Sequence, residues 1–233
     1  MYEIRPESFV TPNGIPVTIN IRSDCNDWNT AYASLNEDEY GLRDCSFSGL
    51  ALDIGGYLGT VAIALAVDNP DLRVICVEPV PDNIALIRQN AEANGVTDRV
   101  TVVEGLAGKT GVGTIRYAFQ GNETNLHHAF VGNSTLAVPE AEHTALTVPS
   151  FSLADLVGDE PVTICKLDCE GGEFSFLDTD LSQIATIVGE WHPNPPEGGT
   201  KTRADVTALL AATHTVTFNG PEAGPGGFLA KRR

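Results

Sequence analysis

Hydrophobic and polar positions alternate in blocks from residue 49 onward. Short apolar runs, typical of buried strands, are separated by segments whose apolar residues recur at helical spacing. The predicted strands cover residues 50–54, 73–78, 100–104, 162–167, 184–190, 216–218 and 228–229. The predicted helices cover residues 60–67, 82–93, 151–157 and 202–212. This alternation predicts an α/β fold with a Rossmann-like, doubly wound and mostly parallel sheet.

The limits of the first two predicted helices carry local signals. The first stops at Asn69-Pro70, because proline cannot continue a helix. The second begins where Asp82 follows Pro81, with the aspartate as predicted N-cap, and ends at the C-cap signal Asn94-Gly95. These signals support the predicted order of strands and helices.

The N-terminal residues follow a different pattern. Alternation over residues 17–21 predicts an edge strand, and residues 30–42 contain a short predicted helix. We expect residues 1–48 to form an extension that packs on a core domain of residues 49–233. A homodimer through this extension is a further expectation.

A long polar insertion interrupts the core near residues 120–146, after a strand predicted at 114–119. Long loops in compact α/β domains are often functional. The insertion carries His127 and His128, and His128 is a candidate base that a mobile loop would deliver to the site. The alternative is a pair of surface histidines.

The first predicted strand runs into a glycine-rich turn with the pattern D-x-G-x-x-x-G, from Asp53 to Gly59. A dinucleotide site favours G-x-G-x-x-G, whose glycines let backbone N–H groups reach a pyrophosphate. Here an acid stands where a pyrophosphate would be repelled. An NAD-dependent oxidoreductase is therefore disfavoured, and the turn favours S-adenosylmethionine, which has a ribose diol and a positive centre.

Acids lie at the carboxyl ends of all five central strands, where open α/β sheets bind their ligands. Glu78, at the end of the second strand, can accept both ribose hydroxyls. Glu104, at the end of the third, is predicted to lie near the adenine. The predicted cofactor contacts are Asp53, Gly55, Gly56, Gly59, Glu78 and Glu104.

The ends of strands four and five form a second group of polar residues. Asp168 and Glu170 share one face of an extended segment, and Glu190 and His192 share another. Asp168, Glu190 and His192 are predicted ligands for Mg²⁺ or Mn²⁺, which would position and acidify a substrate hydroxyl. The alternatives are His192 as a general base without a metal and a plain hydrogen-bond network. Asp168, His192 and His128 are the predicted catalytic residues.

The composition of the chain limits the kinds of partner that the protein is expected to bind. The 233 residues carry a formal net charge of −17, which disfavours nucleic acid and anionic membranes because both would repel the chain. Five cysteines without a C-x-x-C motif favour free thiols in a reducing cytoplasm. The first residues lack the pattern of a signal peptide, and no window reaches the length of a membrane span. We therefore expect a cytoplasmic protein.

Several of these segments together resemble the FkbM family of S-adenosylmethionine-dependent methyltransferases. The matching segments are ALDIGGYLG, VICVEPVPDNIALIRQNAEANGV, VTVVEGLAG, KLDCEGGEFSFL and IVGEWH, within residues 45–195. The resemblance implies the class I methyltransferase fold and methyl transfer to a hydroxyl oxygen, commonly on a sugar or natural product. Gly56-Tyr57 stands where the family usually has Ala-Asn, and the insertion matches no motif of the family.

The resemblance leaves the acceptor open. A small-molecule hydroxyl, most simply on a saccharide, is the expected acceptor. The alternatives are methyl transfer to a nitrogen or a carboxyl group, and a non-catalytic nucleotide-binding module of the same fold. The absence of an Asn/Asp-Pro-Pro-Tyr segment after strand four disfavours nucleic-acid or glutamine amide nitrogen as the acceptor.

Overall fold

The computed structural model describes residues 3–23, 25–117, 144–193, 199–220 and 224–233. Within these residues the strands are β1 (Ile4–Val10), β2 (Pro16–Arg22), β3 (Gly49–Ile54), β4 (Leu72–Glu78), β5 (Val100–Glu104), β6 (Leu106–Ala107), β7 (Gly111–Tyr117), β8 (Thr144–Phe151), β9 (Val162–Leu167), β10 (Ile184–Trp191), β11 (His214–Phe218) and β12 (Gly226–Arg232). The helices are α1 (Asp27–Leu35), α2 (Thr60–Asp68), α3 (Pro81–Ala93), α4 (Leu153–Val157), α5 (Glu173–Leu177) and α6 (Arg203–Leu210).

A seven-stranded sheet forms the centre of the molecule, in the order β11-β12-β10-β9-β3-β4-β5. Strands β10, β9, β3, β4 and β5 are parallel, whereas β12 runs antiparallel to both of its neighbours. Strand order reverses beside β3, which leads to β4 on one side and lies against β9 on the other. The predicted doubly wound, mostly parallel α/β sheet is therefore confirmed.

Both faces of the sheet are covered, which explains the nearly continuous apolar runs of its central strands. One core lies between the sheet and helices α2 and α3, and it extends to α1 and the β1–β2 hairpin. The other core lies beneath α5 and α6. The sheet is thus a rigid layer whose carboxyl edge is free to carry a site.

The N-terminal section, residues 3–23 and 25–48, is held to the core by Asn90 of α3 and by Asn94, the C-cap residue of that helix. The backbone N–H of Asn20 donates to Asn90 Oδ1 at 2.6 Å, and that of Thr18 donates to Asn94 Oδ1 at 2.9 Å. The short helix predicted within residues 30–42 occupies 27–35, so it begins three residues earlier, and β1 was not predicted. Ile4, Val10, Ile15, Trp28 and Tyr32 are exposed here, and dimerisation through this section stays a prediction.

The end of the predicted polar insertion is a strand. Thr144–Phe151 forms β8, which pairs antiparallel with β7 and parallel with the short β6. Val148 is buried with Ile115 and Val80 in a small core of its own. Strand β8 thus begins within the predicted insertion near residues 120–146, and the limits of the insertion stay a prediction. His127 and His128 lie outside the described residues.

Two further elements differ from the prediction. The helix predicted from residue 151 begins at Leu153, where Ser152 and Asp155 form a capping box. Helix α5 was not predicted.

Every helix in the described ranges is too short or too polar to cross a bilayer. The cytoplasmic location stays a prediction.

Asn90 generates a prediction about how the N-terminal section is held. Asn90 is fully buried, accepts from Asn20 N and donates to the carbonyl of Leu58 at 3.0 Å. Asn90→Ala leaves these groups without partners, so we expect a loss of about 2–4 kcal/mol in the free energy of unfolding, measured by urea denaturation. Glu92→Ala, at an exposed position of the same helix, is the control and should change it by less than about 0.5 kcal/mol. Equal effects of the two variants would contradict the assignment.

Candidate active site

A cavity of about 790 Å³ opens at the carboxyl ends of β3, β4, β9 and β10. Cavities of this size hold small molecules and cofactors. The N-terminal section forms one wall with Asn26, Asn29, Thr30, Ala33, Ser34, Glu39 and Tyr40. The core contributes the glycine-rich turn, Glu78 and the acids that follow β9 and β10.

The glycine-rich turn lies directly on the end of β9. Gly55 has a φ of +81°, and a Cβ there would lie 1.8 Å from the carbonyl oxygen of Asp168. Gly56 leaves no room either, since its Cβ would lie 2.3 Å from Cys76 Sγ. Both glycines line the cavity, and their contact with a cofactor stays a prediction. Their first role is to let the turn approach the neighbouring strands.

Gly59 and Asp53 lie beside the cavity and do not line it. Gly59 precedes α2, and a Cβ there would lie 3.0 Å from Ile87 of α3. Asp53 is fully buried and accepts from the backbone N–H of Ala62 at 3.0 Å. The structure thus places both predicted cofactor residues as supports of the turn and of the first turn of α2.

Lys166 is the buried partner of Asp53. Its Nζ lies 3.3 Å from Asp53 Oδ1 and donates to the carbonyl of Gly55 at 2.6 Å. Burial lowers the pKa of Lys166, but the carboxylates of Asp53 and Asp168 outweigh burial and raise it. Lys166 also lines the cavity, and sequence reasoning missed it. The available signal was a single lysine inside an otherwise apolar strand.

Glu78 is placed where sequence reasoning expected it, buried at the end of β4 and lining the cavity. Its Oε1 accepts from Val80 N at 3.0 Å and from Asn83 Nδ2 at 3.1 Å, and its Oε2 accepts from Tyr57 N at 2.9 Å. Burial raises the pKa of Glu78, and these three hydrogen bonds oppose the rise. A carboxylate has about four acceptor positions, so Oε2 has room for one further donor.

Glu104 is paired with Glu78 in the register of β4 and β5, but its side chain lies elsewhere. It is 59% exposed and forms an ion pair with Arg88 at 2.6 Å. Gly105, the next residue, lines the cavity instead. Strand β5 is the edge of the sheet, so a side chain at its end can reach solvent. The structure thus places Glu104 apart from the other predicted cofactor residues.

The other end of the cavity is acidic. Asp168, Glu170 and Glu190 line it from the ends of β9 and β10, and Glu39 joins them from the N-terminal section. Tyr40 donates its hydroxyl to Asp168 Oδ2 at 2.7 Å. Neither Glu39 nor Tyr40 was predicted, because a contact across 128 residues has no local pattern.

His192 lies behind these acids and does not line the cavity. Its Nδ1 is 3.1 Å from Glu173 Oε1, and its Nε2 is 3.2 Å from Glu170 Oε2 and 3.8 Å from Glu190 Oε2. Burial lowers the pKa of His192, but the hydrogen bond and charge of Glu173, together with the charge of Glu170, raise it to about 10. This favours a cationic imidazole at neutral pH over the predicted general base.

Glu173 was missed by sequence reasoning, although its role is clear in the structure. It is fully buried and accepts from the backbone N–H groups of Cys169 and Gly171. It therefore holds both the loop after β9 and the imidazole of His192. The signal in the sequence was its place as the third acid of the segment DCEGGE, after Asp168 and Glu170.

Three of the polar groups are close enough to share a cation. One ligand atom each from Asp168, Glu170 and His192 lies within 4.8 Å of the others. This set contains Glu170 where sequence reasoning named Glu190. Glu190 remains adjacent, through its 3.8 Å contact with His192. Two carboxylates and an imidazole fit Mg²⁺ or Mn²⁺ in ligand type.

Comparison with known proteins agrees with this geometry. Residues 53–216, well over half of the chain, match the family described as the Methyltransferase FkbM domain. The chain belongs to the FkbM methyltransferase family.

Relatives match over shorter segments. A release factor glutamine methyltransferase of Geobacter sulfurreducens is 43% identical over 67 residues, which cover 29% of this chain and 23% of that protein. The O-methyltransferase imqG of Aspergillus flavus is 35% identical over 65 residues, covering 27% of this chain and 26% of that protein. The chain thus matches about a quarter of the length of these relatives.

A solved structure shares the fold. The precorrin-6Y C5,15-methyltransferase of Geobacter metallireducens superimposes with a TM-score of 0.50 at 15% identity, covering 85% of this chain and 89% of that chain. At this identity the likeness shows the fold alone. With the family match, it confirms the class I methyltransferase fold.

The acidic end of the cavity predicts how the free energy of unfolding depends on pH. Burial and the charge of Asp168 raise the pKa of Glu190 to about 7, from an ordinary value of 4.5. The folded state therefore holds a proton that the unfolded state releases between these values, and stability from this group falls as pH rises through them. Glu190→Gln does not titrate. We expect the free energy of unfolding of the variant to rise relative to wild type between pH 5 and pH 8, in urea titrations with EDTA present.

Glu160→Gln, at the exposed Arg73–Glu160 pair, is the control for this prediction. Its difference from wild type should stay constant over the same range. A constant difference for Glu190→Gln as well would show that Glu190 titrates normally.

Proposed function

We propose that this protein is an S-adenosylmethionine-dependent O-methyltransferase that acts on a hydroxyl group of a small-molecule acceptor, most simply a sugar or a glycosylated natural product. The observation that carries the proposal is one cavity with Glu78 at one end and Asp168 and Glu190 at the other. The first end suits a ribose, and the second suits a hydroxyl that must lose a proton.

The cofactor fits the residues present. The N–H groups of Gly55 and Gly56 donate to the carbonyl of Val77, so their carbonyl oxygens would accept from the ammonium of the cofactor's amino-acid end. The open acceptor position on Glu78 Oε2 would take a ribose hydroxyl. When bound, S-adenosylmethionine supplies an activated methyl group on a sulfonium cation. The carboxylates that line the cavity favour a cation there.

At the acceptor end, the residues of the chain orient a hydroxyl and take its proton. The hydroxyl of Tyr40 donates to Asp168 Oδ2 and so fixes the carboxylate. Oδ1 is left to receive a hydrogen bond from the hydroxyl of the methyl acceptor. Glu190, with a pKa near 7, can receive a proton at neutral pH. Alignment of the acceptor oxygen with the methyl carbon supplies much of the rate in such a displacement.

The proposed reaction has two forms, one assisted by a divalent metal and one without a metal. Asp168, Glu170 and His192 would hold Mg²⁺ or Mn²⁺, which would acidify an acceptor hydroxyl bound to it. His192 would then have to lose its proton, because a metal ligand must be the neutral imidazole. The metal-free form keeps His192 as a cation that pairs with Glu170 and Glu173.

The lining of the cavity supports a neutral acceptor. Asn26, which precedes α1, and Asn29 and Thr30 of α1 present amides and a hydroxyl that can hydrogen-bond a polyol. The carboxylates at the acceptor end of the cavity would repel an anionic acceptor, and the net charge of −17 would repel nucleic acid. An amine or a carboxyl group as acceptor, and a non-catalytic module, are outcomes of the tests below.

The cofactor assignment predicts the effect of Glu78→Gln. Loss of the charge weakens the hydrogen bond to the ribose, so we expect the Kd for S-adenosylhomocysteine to rise by about 10-fold or more, by calorimetry. Wild type should bind S-adenosylmethionine and S-adenosylhomocysteine but not NAD. Glu104→Gln is the matched control, one strand away, and should leave the affinity within about 2-fold. Wild-type protein that binds neither sulfur compound would refute the cofactor.

The acceptor assignment predicts methyl transfer to a neutral sugar or glycoside. We expect a screen with methyl-labelled S-adenosylmethionine to find acceptors among hydroxyl compounds and not among nucleic acids. Asp168→Asn should lower kcat by about 10²-fold or more, because the group that orients the hydroxyl loses its charge, while S-adenosylhomocysteine binds as in wild type.

The same screen, run with EDTA and with added Mg²⁺ or Mn²⁺, tests the metal. Activity that needs the cation, with a heat of cation binding that disappears in Asp168→Asn, supports the metal-assisted form. Full activity in EDTA supports the metal-free form. Transfer to amines alone would replace the hydroxyl assignment, and no transfer to any class would favour the non-catalytic module.

A further inference from the structure

A buried network connects the N-terminal section with Glu78. Arg22 is 2% exposed, and its Nε donates to Asp27 Oδ2 and its Nη2 to Asp27 Oδ1, at 2.9 and 3.1 Å. Its Nη1 donates to Asn83 Oδ1 at 2.9 Å. Asn83 then donates its Nδ2 to Glu78 Oε1 at 3.1 Å. The charged pair between the end of β2 and the start of α1 therefore reaches Glu78 through a single amide, that of Asn83.

Tyr57 closes the network from the other side. Its backbone N–H donates to Glu78 Oε2, and its hydroxyl donates to Asp27. The guanidinium of Arg22 lies 5.3 Å from the centre of the Tyr57 ring. The same residue thus holds one oxygen of the cofactor acid with its backbone and the N-terminal section with its side chain.

The backbone of Tyr57 depends on these side-chain contacts. Its φ is +51°, a left-handed conformation that glycine and asparagine adopt readily and that tyrosine rarely adopts. Such a conformation persists only where surrounding contacts hold it. The contacts of its ring and hydroxyl with Arg22 and Asp27 provide that hold, and they keep the N–H of Tyr57 on Glu78.

We propose that Arg22, Asp27 and Tyr57 are positioning residues for Glu78, so that the N-terminal section sets the affinity and ribose selectivity of this protein for adenosine cofactors. The inference rests on the proposed function, since it takes Glu78 as the ribose acceptor. Arg22 and Asp27 lie outside residues 53–216, the part that matches the family. Tyr57, Glu78 and Asn83 lie within those residues, so the network joins the N-terminal section to the matched domain.

The test compares two substitutions that each remove one hydroxyl from a contact of the N-terminal section. Tyr57→Phe removes the contact with Asp27. Thr11→Val removes the hydrogen bond from Thr11 to Asp68 Oδ1 of α2, at 2.5 Å, which has no connection to Glu78. Calorimetry would measure the Kd of S-adenosylhomocysteine and of its 2′-deoxy analogue, and thermal unfolding would be measured separately.

We expect wild type to prefer the ribose compound by about 10-fold or more, since a hydrogen bond to a charged group is lost in the analogue. Tyr57→Phe should raise the Kd of S-adenosylhomocysteine by about 5- to 20-fold and the Kd of the 2′-deoxy analogue much less. The preference for the ribose compound should therefore fall to about 2-fold. Thr11→Val should keep both affinities within about 2-fold, even where its Tm falls.

A folded Tyr57→Phe protein with the wild-type preference would overturn the inference, as would an equal loss in Thr11→Val, which would indicate general docking of the section. If Tyr57→Phe does not fold, Asp27→Asn is measured instead and carries the same expectation, because it removes the charge that holds both Arg22 and Tyr57. Failure of wild type to bind S-adenosylhomocysteine would instead refute the proposed function, which separates the two results.

Discussion

The close contact between Gly55 and the carbonyl of Asp168 fixes the two ends of the cavity relative to each other. A Cβ at residue 55 would lie 1.8 Å from that oxygen, so only glycine allows the glycine-rich turn to lie on the end of β9. The backbone N–H of Asp168 donates to Ile54 O at 3.1 Å, and Lys166 binds the carbonyl of Gly55. The turn that would hold the cofactor and the acid that would orient the acceptor are thereby parts of one rigid junction.

The buried pair of Asp53 and Lys166 lies directly under this junction, and its role is geometric more than energetic. A buried ion pair contributes little net stability, because the removal of two charges from water offsets their attraction. Its groups nevertheless have fixed partners: Asp53 holds the first turn of α2 through Ala62, and Lys166 holds the carbonyl of Gly55. Replacing either residue leaves an uncompensated charge in the core, so the pair resists substitution although it adds little to the free energy of unfolding.

The sequence was sufficient for those features that depend on neighbouring residues. The central strands, α2, α3, the glycine-rich turn and Glu78 follow from periodicity and from the rule that ligands bind at the carboxyl ends of parallel strands. It could not show that Glu104 turns to solvent, because that depends on β5 being the edge strand. Tyr40 and Glu39 were missed because they reach the site through the fold. Strand β8 was missed because its apolar positions pack on β7 and not on the main sheet.

The lining of the cavity is divided between two parts of the chain. The part that matches the family supplies Glu78 and the acids that follow β9 and β10, which suits chemistry common to the family. The N-terminal section supplies the wall of amides and hydroxyls on α1 and the contact of Tyr40 with Asp168. Because it is held by a few hydrogen bonds, among them those of Arg22 with Asn83 and of Asp27 with Tyr57, changes in it can alter the lining of the cavity without disturbing the sheet. The matched part of the chain thus supplies the sheet and its acids, and the N-terminal section supplies one wall of the cavity and the proposed support of Glu78.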